Sequence, residues 1–245
     1  MEAKNLGDFL IIYEKFATSE NKSKRTIETV TAAVSAFNKF LGSCDDITRI
    51  QAEDLRRYIG SLQERSKWSG HPTIKGRKDN LSLHTIACYV RSIRSFWSWL
   101  KREGFIDHNL FEQVKPPRAP RKIVETLTPE QITHLLKNIP RGNPSGYRDF
   151  AIIITLYGTG LRISELVNLK IEDINFENGQ IKALGKGGKE RFLYGSAKVY
   201  KATFKYLNQW RPKATSDNFF LNENGHPLTR FHFEHRMQVH CKKAG

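Results

Sequence analysis

The sequence predicts a mainly α-helical protein with a small antiparallel β-sheet, divided into two domains. Three observations support this fold class. Apolar residues recur every three or four positions in separate stretches of residues 5–103, as in amphipathic helices. Residues 115–124 then hold three prolines and four basic side chains, a composition typical of an extended linker. Further along, residues 180–184 and 190–194 flank a glycine-rich turn, which is typical of a β-hairpin.

The N-terminal domain, residues 1–114, is predicted to be an all-α bundle, because each apolar stretch begins at a capping residue or ends at glycine. The predicted helices span residues 5–18, from Ser23 or Thr26 to Gly42, 51–64, and from Ser82 to Glu103. Gly104 is expected to end the last and longest of them. Residues 68–80, rich in glycine, proline and basic side chains, are expected to form a loop.

The C-terminal domain, residues 125–245, follows the linker and is predicted to be mostly helical around a small sheet. It opens at Thr128, where Pro129 suits the first helical position and Gln131 completes a capping box. The later elements are predicted as helices over 147–157, 163–169, 197–210 and 229–243, and strands over 180–184, 190–194 and 219–221.

The charge of the chain indicates a polyanionic partner. Its 245 residues include 40 Lys and Arg against 25 Asp and Glu, giving a net charge of +15 and a pI near 9.8. Nucleic acid is the first candidate for such a partner. The excess lies on both sides of Arg118, which favours a partner held from two sides over a single basic tail. A soluble basic protein with no such partner is the alternative.

Other composition features exclude several classes of protein. No apolar run approaches the roughly 18–20 residues of a membrane span, and the first ten residues are not those of a signal peptide. The cysteines Cys44, Cys88 and Cys241 are scattered, so neither a disulfide framework nor a zinc finger is expected. We therefore expect a cytoplasmic protein that does not bind membranes.

The segment from Gly158 to Leu166, Gly-Thr-Gly-Leu-Arg-Ile-Ser-Glu-Leu, is the first candidate site. Gly158 and Gly160 are expected to let the backbone turn sharply after a buried helix. Arg162 then lies at the start of the next helix, where its guanidinium is able to bind two oxygens of one phosphate. Glu165, one turn later, is expected to orient that group. A surface Arg–Glu ion pair is the alternative.

The second candidate site is the predicted hairpin turn, Gly-Lys-Gly-Gly-Lys-Glu-Arg over residues 185–191. Lys186 and Lys189, flanked by glycines on a turn, are able to reach into a groove or toward a leaving oxygen. The segment is not a P-loop, since neither the P-loop spacing nor the following helix is present. A turn with solvated charges is the alternative.

Together these two motifs resemble those of the tyrosine recombinases, or phage integrases, and most closely the Xer-like members. The resemblance rests on the order and separation of the arginine and lysine segments after a helical domain and a basic linker, and it covers nearly the whole chain. It implies an α-helical core-binding domain and a catalytic domain that close around duplex DNA. It also implies cleavage and rejoining of DNA through a 3′-phosphotyrosyl intermediate, without ATP or metal, as in Xer-like chromosome-dimer resolution.

The resemblance also implies roles for particular residues. Arg162 matches the first catalytic arginine, which stabilises charge on the phosphorus centre. Lys186 matches the general acid that protonates the 5′-oxygen. Glu165 matches the acidic residue that supports the arginine. Members of the family assemble on DNA as tetramers, so a homo-oligomer on a specific recombination site is the expected partner arrangement.

The chain also departs from the family pattern. The expected His-x-x-Arg motif and nucleophilic tyrosine are missing, since His232, His235 and His240 do not begin such a motif. Tyr157 and Tyr206 lie on apolar helical faces and are expected to be core residues. We therefore expect the chain as given to be unable to cleave DNA. A longer natural protein, a deliberate truncation and a noncatalytic DNA-binding fragment are the three explanations.

Several basic residues are expected to contact DNA. Lys24 and Arg25 open the second helix, and Arg91 and Arg94 lie on the long fourth helix. The further expected contacts are Lys189 and Arg191 in the hairpin and Trp68, Lys75, Arg77 and Lys78 in the loop. A solvated surface residue is the alternative for each, and the commoner role of such side chains. A noncatalytic DNA-binding protein of the same fold and an RNA-binding protein are the competing functions, although no RRM-type aromatic signature is present.

Overall fold

A computed structural model describes residues 5–67, 79–112, 114–118, 120 and 125–244. The chain folds as two compact units, Met1–Ile123 and Val124–Gly245, so the division falls inside the predicted linker. The assignment of these units to core binding and catalysis remains a prediction. Among the described residues, no helix is both long and apolar enough to cross a membrane.

The helices of the first unit agree closely with the sequence prediction. They are α1 Leu6–Ser19, α2 Lys24–Phe40, α3 Ala52–Glu64 and α4 Leu83–Arg102. Ser23 is the residue that caps α2, because its side chain accepts the Thr26 backbone N–H. Ser82 caps α4 in the same way. The capping side chains fix where each helix begins, which is why the boundaries were predictable.

Aromatic side chains fill the core of the first unit. Tyr13 packs edge-on against Phe96 and Trp99, with ring centroids 5.4 and 5.2 Å apart. Phe37 contacts Tyr58 at 5.0 Å. Each such pair contributes about 0.5–1.5 kcal/mol beyond simple burial. These contacts join α1 to α4 and α2 to α3, and Phe37 also packs on Trp97 of α4 at 5.7 Å, so the four helices share one aromatic core.

The second unit contains five α-helices in its described part and a three-stranded sheet. The helices are α5 Pro129–Asn138, α6 Pro144–Thr159, α7 Ile163–Val167, α8 Ala197–Lys205 and α9 Arg230–Ala244. The capping box predicted at Thr128 is present, since Thr128 and Gln131 exchange side-chain and backbone hydrogen bonds. The helix α6 begins earlier than predicted because Asn143 caps it and Pro144 takes the first position.

The strands lie in the order β1-β2-β3, all antiparallel: β1 Ile174–Asn175, β2 Gln180–Leu184 and β3 Glu190–Tyr194. The hairpin of β2 and β3 has the predicted boundaries. Ala183 pairs with Arg191 across it, and Gly185 N–H donates to the Lys189 carbonyl at 2.8 Å to close the turn. Gly187 and Gly188 both adopt φ 75°, which favours glycine. With only two residues, β1 was too short to predict.

The predictions of a strand over residues 219–221 and of a buried Tyr157 were wrong. Residues 219–221 do not form a strand; Phe219 and Phe220 are fully buried in a bend. Burial of consecutive large side chains produced the apolar pattern that suggested a strand. The helix predicted over 197–210 is confirmed, as α8 followed by a π-helical turn at Tyr206–Trp210. Tyr206 is buried as predicted, but Tyr157 is 59% exposed and is not a core residue.

A buried ionic cluster fastens α9 to α6. Asp149, fully buried, accepts hydrogen bonds from the neighbouring Arg148 at 2.9 Å and from Arg236 and His240 of α9, each at 2.8 Å. Arg148 also donates to the carbonyl of Leu221 at 3.1 Å. A buried carboxylate is tolerated only when its oxygens are paired in this way. The cluster therefore fixes where α9 lies.

Candidate functional site

The turn between α6 and α7 places Arg162 at the start of α7. The helix α6 ends at Thr159, and Gly160 adopts the left-handed conformation with φ 67° while donating to the Leu156 carbonyl. The prediction that Gly158 also makes the turn was wrong, because it is helical. A Cβ at Gly158 would lie 2.6 Å from Val199 Cγ2, so the absence of a side chain there allows close packing.

Glu165 holds Arg162, as the sequence predicted. Its Oε2 accepts the Arg162 backbone N–H at 2.8 Å, and its Oε1 accepts from Arg162 Nη1 at 3.0 Å. The Glu165 side chain is only 4% exposed, whereas the Arg162 side chain is 72% exposed. A buried carboxylate thus fixes one edge of a guanidinium whose remaining donors face solvent.

Arg191 of β3 binds the same carboxylate, a contact that the sequence did not predict. Its Nη1 and Nη2 donate to Glu165 Oε1 and Oε2, both at 2.6 Å. These hydrogen bonds from Arg191, against the effect of burial and with further bonds from Arg162, lower the pKa of Glu165 to about 2. The sequence signal that could have revealed this contact is the register of the predicted hairpin. Arg191 pairs with Ala183 across it, so the Arg191 side chain lies on the same face of the sheet as the buried Ala183.

An open cleft of about 800 Å³ lies beside this arrangement. The residues that line it include Arg162, Ser164, Asn168, Gly185, Lys189 and Arg191. The structure therefore brings the arginine segment and the hairpin turn to one place. The backbone of Lys186 lies in that turn, in a short 3₁₀ segment, Lys186–Gly188. Ser164 and Asn168 were not singled out from the sequence, since polar side chains on a short helix carry no distinct signal.

The predicted DNA contacts of the first unit lie on α2 and α4. Lys24 and Arg25 are the first two residues of α2, and Arg91 and Arg94 are exposed on α4. None of the four forms an ion pair with any described residue. Arg25 also lines a groove of about 360 Å³ between these helices. The predicted loop contacts at Trp68, Lys75, Arg77 and Lys78 lie outside the described residues.

The described residues of the cleft do not form a metal-binding site. No group of three or more His, Cys, Asp or Glu side chains there is arranged to hold a metal ion. The charged groups that line the cleft are two guanidinium groups and one ammonium group, with the buried carboxylate of Glu165 and the exposed carboxylate of Glu190. Such a set suits an oxyanion, because a guanidinium donates two parallel hydrogen bonds to neighbouring oxygens.

Comparison with known proteins agrees with this chemistry. The phage integrase family model matches residues 125–245. The tyrosine recombinase XerD of Listeria innocua is 33% identical over 174 residues, which cover 69% of this chain and 59% of that protein. The tyrosine recombinase XerC of Oceanobacillus iheyensis is 31% identical over 224 residues, which cover 88% and 69% of the two chains. The chain thus spans less than two thirds of the length of the Listeria relative.

A solved structure shares the fold. The Tn1549 transposon integrase in complex with transposon right end DNA superposes with a TM-score of 0.74 at 24% identity, covering 96% of this chain and 78% of that one. The likeness confirms the predicted fold class of a mainly helical protein with a small antiparallel sheet. Since the XerC relative is also aligned along most of both chains, this chain belongs to the phage integrase family, as an Xer-like tyrosine recombinase.

Proposed function

We propose that this chain is the DNA-binding and phosphate-activating part of a site-specific recombinase that cleaves and rejoins duplex DNA through a 3′-phosphotyrosyl intermediate. One observation carries the proposal. The exposed guanidinium of Arg162 is fixed along one edge by the buried Glu165 and faces a cleft shared with the β2–β3 hairpin. A preorganised cation in an open cleft is what binding and activation of a backbone phosphate require.

Arg162 would bind the scissile phosphate through its free donors. Glu165 engages Nη1, and no other described residue binds the guanidinium, so donors remain for two nonbridging oxygens. As an attacking oxygen adds to phosphorus, negative charge grows on those oxygens. A cation already held in place stabilises this charge without reorganising.

The hairpin would supply the proton donor. Lys186 follows Gly185, whose backbone lies beside the Glu165–Arg191 pair, so the turn is anchored close to Arg162. In the proposed reaction Lys186 protonates the departing 5′-oxygen as a general acid. Lys189, exposed at the other end of the turn, contacts a neighbouring backbone phosphate.

The first unit would bind the same duplex through Lys24, Arg25, Arg91 and Arg94. Support comes from their unpaired charges and from their place on two helices with a rigid core. Recombination joins two duplexes, and members of the resembled family assemble on DNA as tetramers. The proposed assembly on DNA is therefore a homotetramer. On its resemblance to the Xer-like recombinases, the role we propose is chromosome-dimer resolution in the cytoplasm, with integration of a mobile element as the alternative.

Binding of duplex DNA is tested by fluorescence anisotropy over a range of salt concentrations. We expect the logarithm of affinity to fall linearly with the logarithm of salt concentration, by about 0.9 per phosphate neutralised. Arg162→Ala should make this slope shallower by about 0.9, the contribution of one phosphate contact. Glu234→Gln, which removes an exposed carboxylate of α9, is the matched control and should leave the slope unchanged. Affinity that does not change with salt would contradict the proposal.

The covalent step is tested with the gene product expressed from its own locus. A nicked duplex from which the free 5′-hydroxyl strand diffuses away traps any phosphotyrosyl intermediate as an SDS-stable adduct. Formation of the adduct supports the recombinase, and its loss in Arg162→Ala assigns that residue to the chemistry. Tight DNA binding without an adduct supports the alternative, a noncatalytic DNA-binding protein of the same fold.

A further inference from the structure

The two arginines at Glu165 are bound unequally. Arg191 takes both carboxylate oxygens at 2.6 Å in the bidentate geometry that guanidinium and carboxylate groups prefer. Arg162 takes a single side-chain contact at 3.0 Å. The exposures follow the same order, since Arg191 is 35% exposed and Arg162 is 72% exposed. Glu165 is thus bound mainly by Arg191, and Arg162 is held only at one edge.

The charge at this site depends on Arg191. With both arginines and Glu165 the three side chains carry one net positive charge, whereas without Arg191 they are neutral. A buried carboxylate without its bidentate partner would draw Arg162 into that geometry. The same donors of Arg162 would then no longer be available to an oxyanion.

We propose that Arg191 is a positioning residue that neutralises Glu165 and so keeps the donors of Arg162 free for a DNA phosphate. This inference rests on the proposed function and differs from the expectation that Arg191 itself contacts DNA. The backbone supports it, because a Cβ at Gly185 would lie 3.6 Å from Glu165 Oε1 and 3.7 Å from Arg191 Nη1. The first residue of the hairpin turn therefore packs directly on the Glu165–Arg191 pair.

A consequence is that Arg191 links the two halves of the site. It lies on β3, opposite Ala183 of β2, while Glu165 lies on α7. The pair therefore ties the turn that carries Lys186 to the helix that begins at Arg162. Loss of Arg191 should disturb the binding of phosphate through Arg162, without removing a phosphate ligand directly.

The test measures the affinity for a short duplex and its salt dependence in Arg191→Gln, Glu165→Gln and the double variant. We expect Arg191→Gln to weaken binding by about tenfold, the order of one charge-assisted hydrogen bond. Glu165→Gln in the Arg191→Gln background should restore affinity and slope, because no carboxylate then competes for Arg162. A double variant as weak as Arg191→Gln alone would show that Arg191 is a direct DNA ligand.

Lys189→Gln is the matched control on the same hairpin. If Lys189 contacts a phosphate directly, adding Glu165→Gln should not rescue it. Equal rescue in both backgrounds would mean that removing a negative charge strengthens binding in general, and would overturn the inference. Combining Arg191→Gln with Arg162→Ala gives a second check, since a residue that acts through Arg162 should cause no further loss there.

A readout without DNA separates this inference from the proposed function. The carboxyl ¹³C shift of Glu165, followed against pH, reports its pKa, which is about 2 in the wild type. In Arg191→Gln the pKa should stay well below its ordinary value, because Arg162 then binds the carboxylate in place of Arg191, and it should rise to or above the ordinary value only when Arg162→Ala is added. Arg191→Lys, which keeps the charge but not the paired donors, serves if Arg191→Gln is poorly folded. An ordinary pKa in Arg191→Gln alone would show that Arg162 does not move to Glu165 and would overturn the inference, while absent DNA binding in the wild type overturns the proposed function.

Discussion

At the scale of single residues, Glu165 shows how burial and charge combine. It is almost fully buried, which alone would favour its neutral form, yet the donors of Arg191 and Arg162 keep it ionised. The sequence spacing indicated the Arg162 contact, because three residues make one helical turn. It did not indicate that a strand residue 26 positions later would bind the same carboxylate more closely.

The lowered pKa of Glu165 predicts a stability that depends on pH. The folded pKa of about 2 lies below the unfolded value of about 4.3, so ionised Glu165 stabilises the fold above about pH 5. That contribution is lost as the pH falls toward 2. We expect Glu165→Gln to cost about 1–3 kcal/mol at neutral pH. Urea unfolding at several pH values should show this difference shrinking in acid; a constant difference would contradict the assignment.

Gly158 provides a second prediction at this scale. A methyl group there would meet Val199 Cγ2 at 2.6 Å, and a buried valine has little freedom to move. We expect Gly158→Ala to lower the free energy of unfolding by about 1–3 kcal/mol through overpacking. Gly60→Ala in α3 is the control, since nothing lies within 4 Å of its Cβ position. It should raise stability by about 0.5–1 kcal/mol, and the opposite order of the two variants would refute the packing argument.

At the scale of secondary-structure elements, local signals fixed most boundaries. Side-chain caps at Ser82 and Thr128 start their helices where the sequence predicted, and Ser23 is one of the two caps it offered for α2, because these contacts lie within one turn. The β2–β3 hairpin was also predictable from its glycine turn. Elements defined by distant contacts were not: Phe219 and Phe220 are buried by tertiary packing in an irregular bend, not by strand pairing.

The attachment of α9 to α6 gives a prediction for an element. Asp149→Asn would leave Arg148, Arg236 and His240 without their common carboxylate in a buried place. We expect a loss of about 3–5 kcal/mol in the free energy of unfolding. Glu234→Gln, which removes an exposed ion pair with Arg230 on the same helix, should cost about 0.5 kcal/mol or less. Equal effects of the two variants in urea unfolding would show that the cluster does not stabilise α9.

At the scale of the whole molecule, the positive charge is shared by two compact units. If both contact one duplex, their linkage should strengthen binding well beyond either unit alone. We expect fragments 1–120 and 125–245 to bind duplex DNA about 10²–10⁴-fold more weakly than the intact chain. An equimolar mixture of the unlinked fragments is the control and should not recover the intact affinity. If the intact chain binds no more tightly than its better fragment, the two units do not both contact one duplex.

The sequence by itself determined the fold class, the caps at Ser82 and Thr128, the hairpin and the pairing of Arg162 with Glu165, because each depends on residues within a few positions of one another. The family followed from the order of two short motifs. Only the tertiary structure decided that Arg191 binds Glu165 and that Asp149 anchors α9. It also decided that Gly158 serves packing and that Tyr157 is exposed. These facts depend on side chains that meet across the fold, and periodicity and spacing along the chain do not encode such distances.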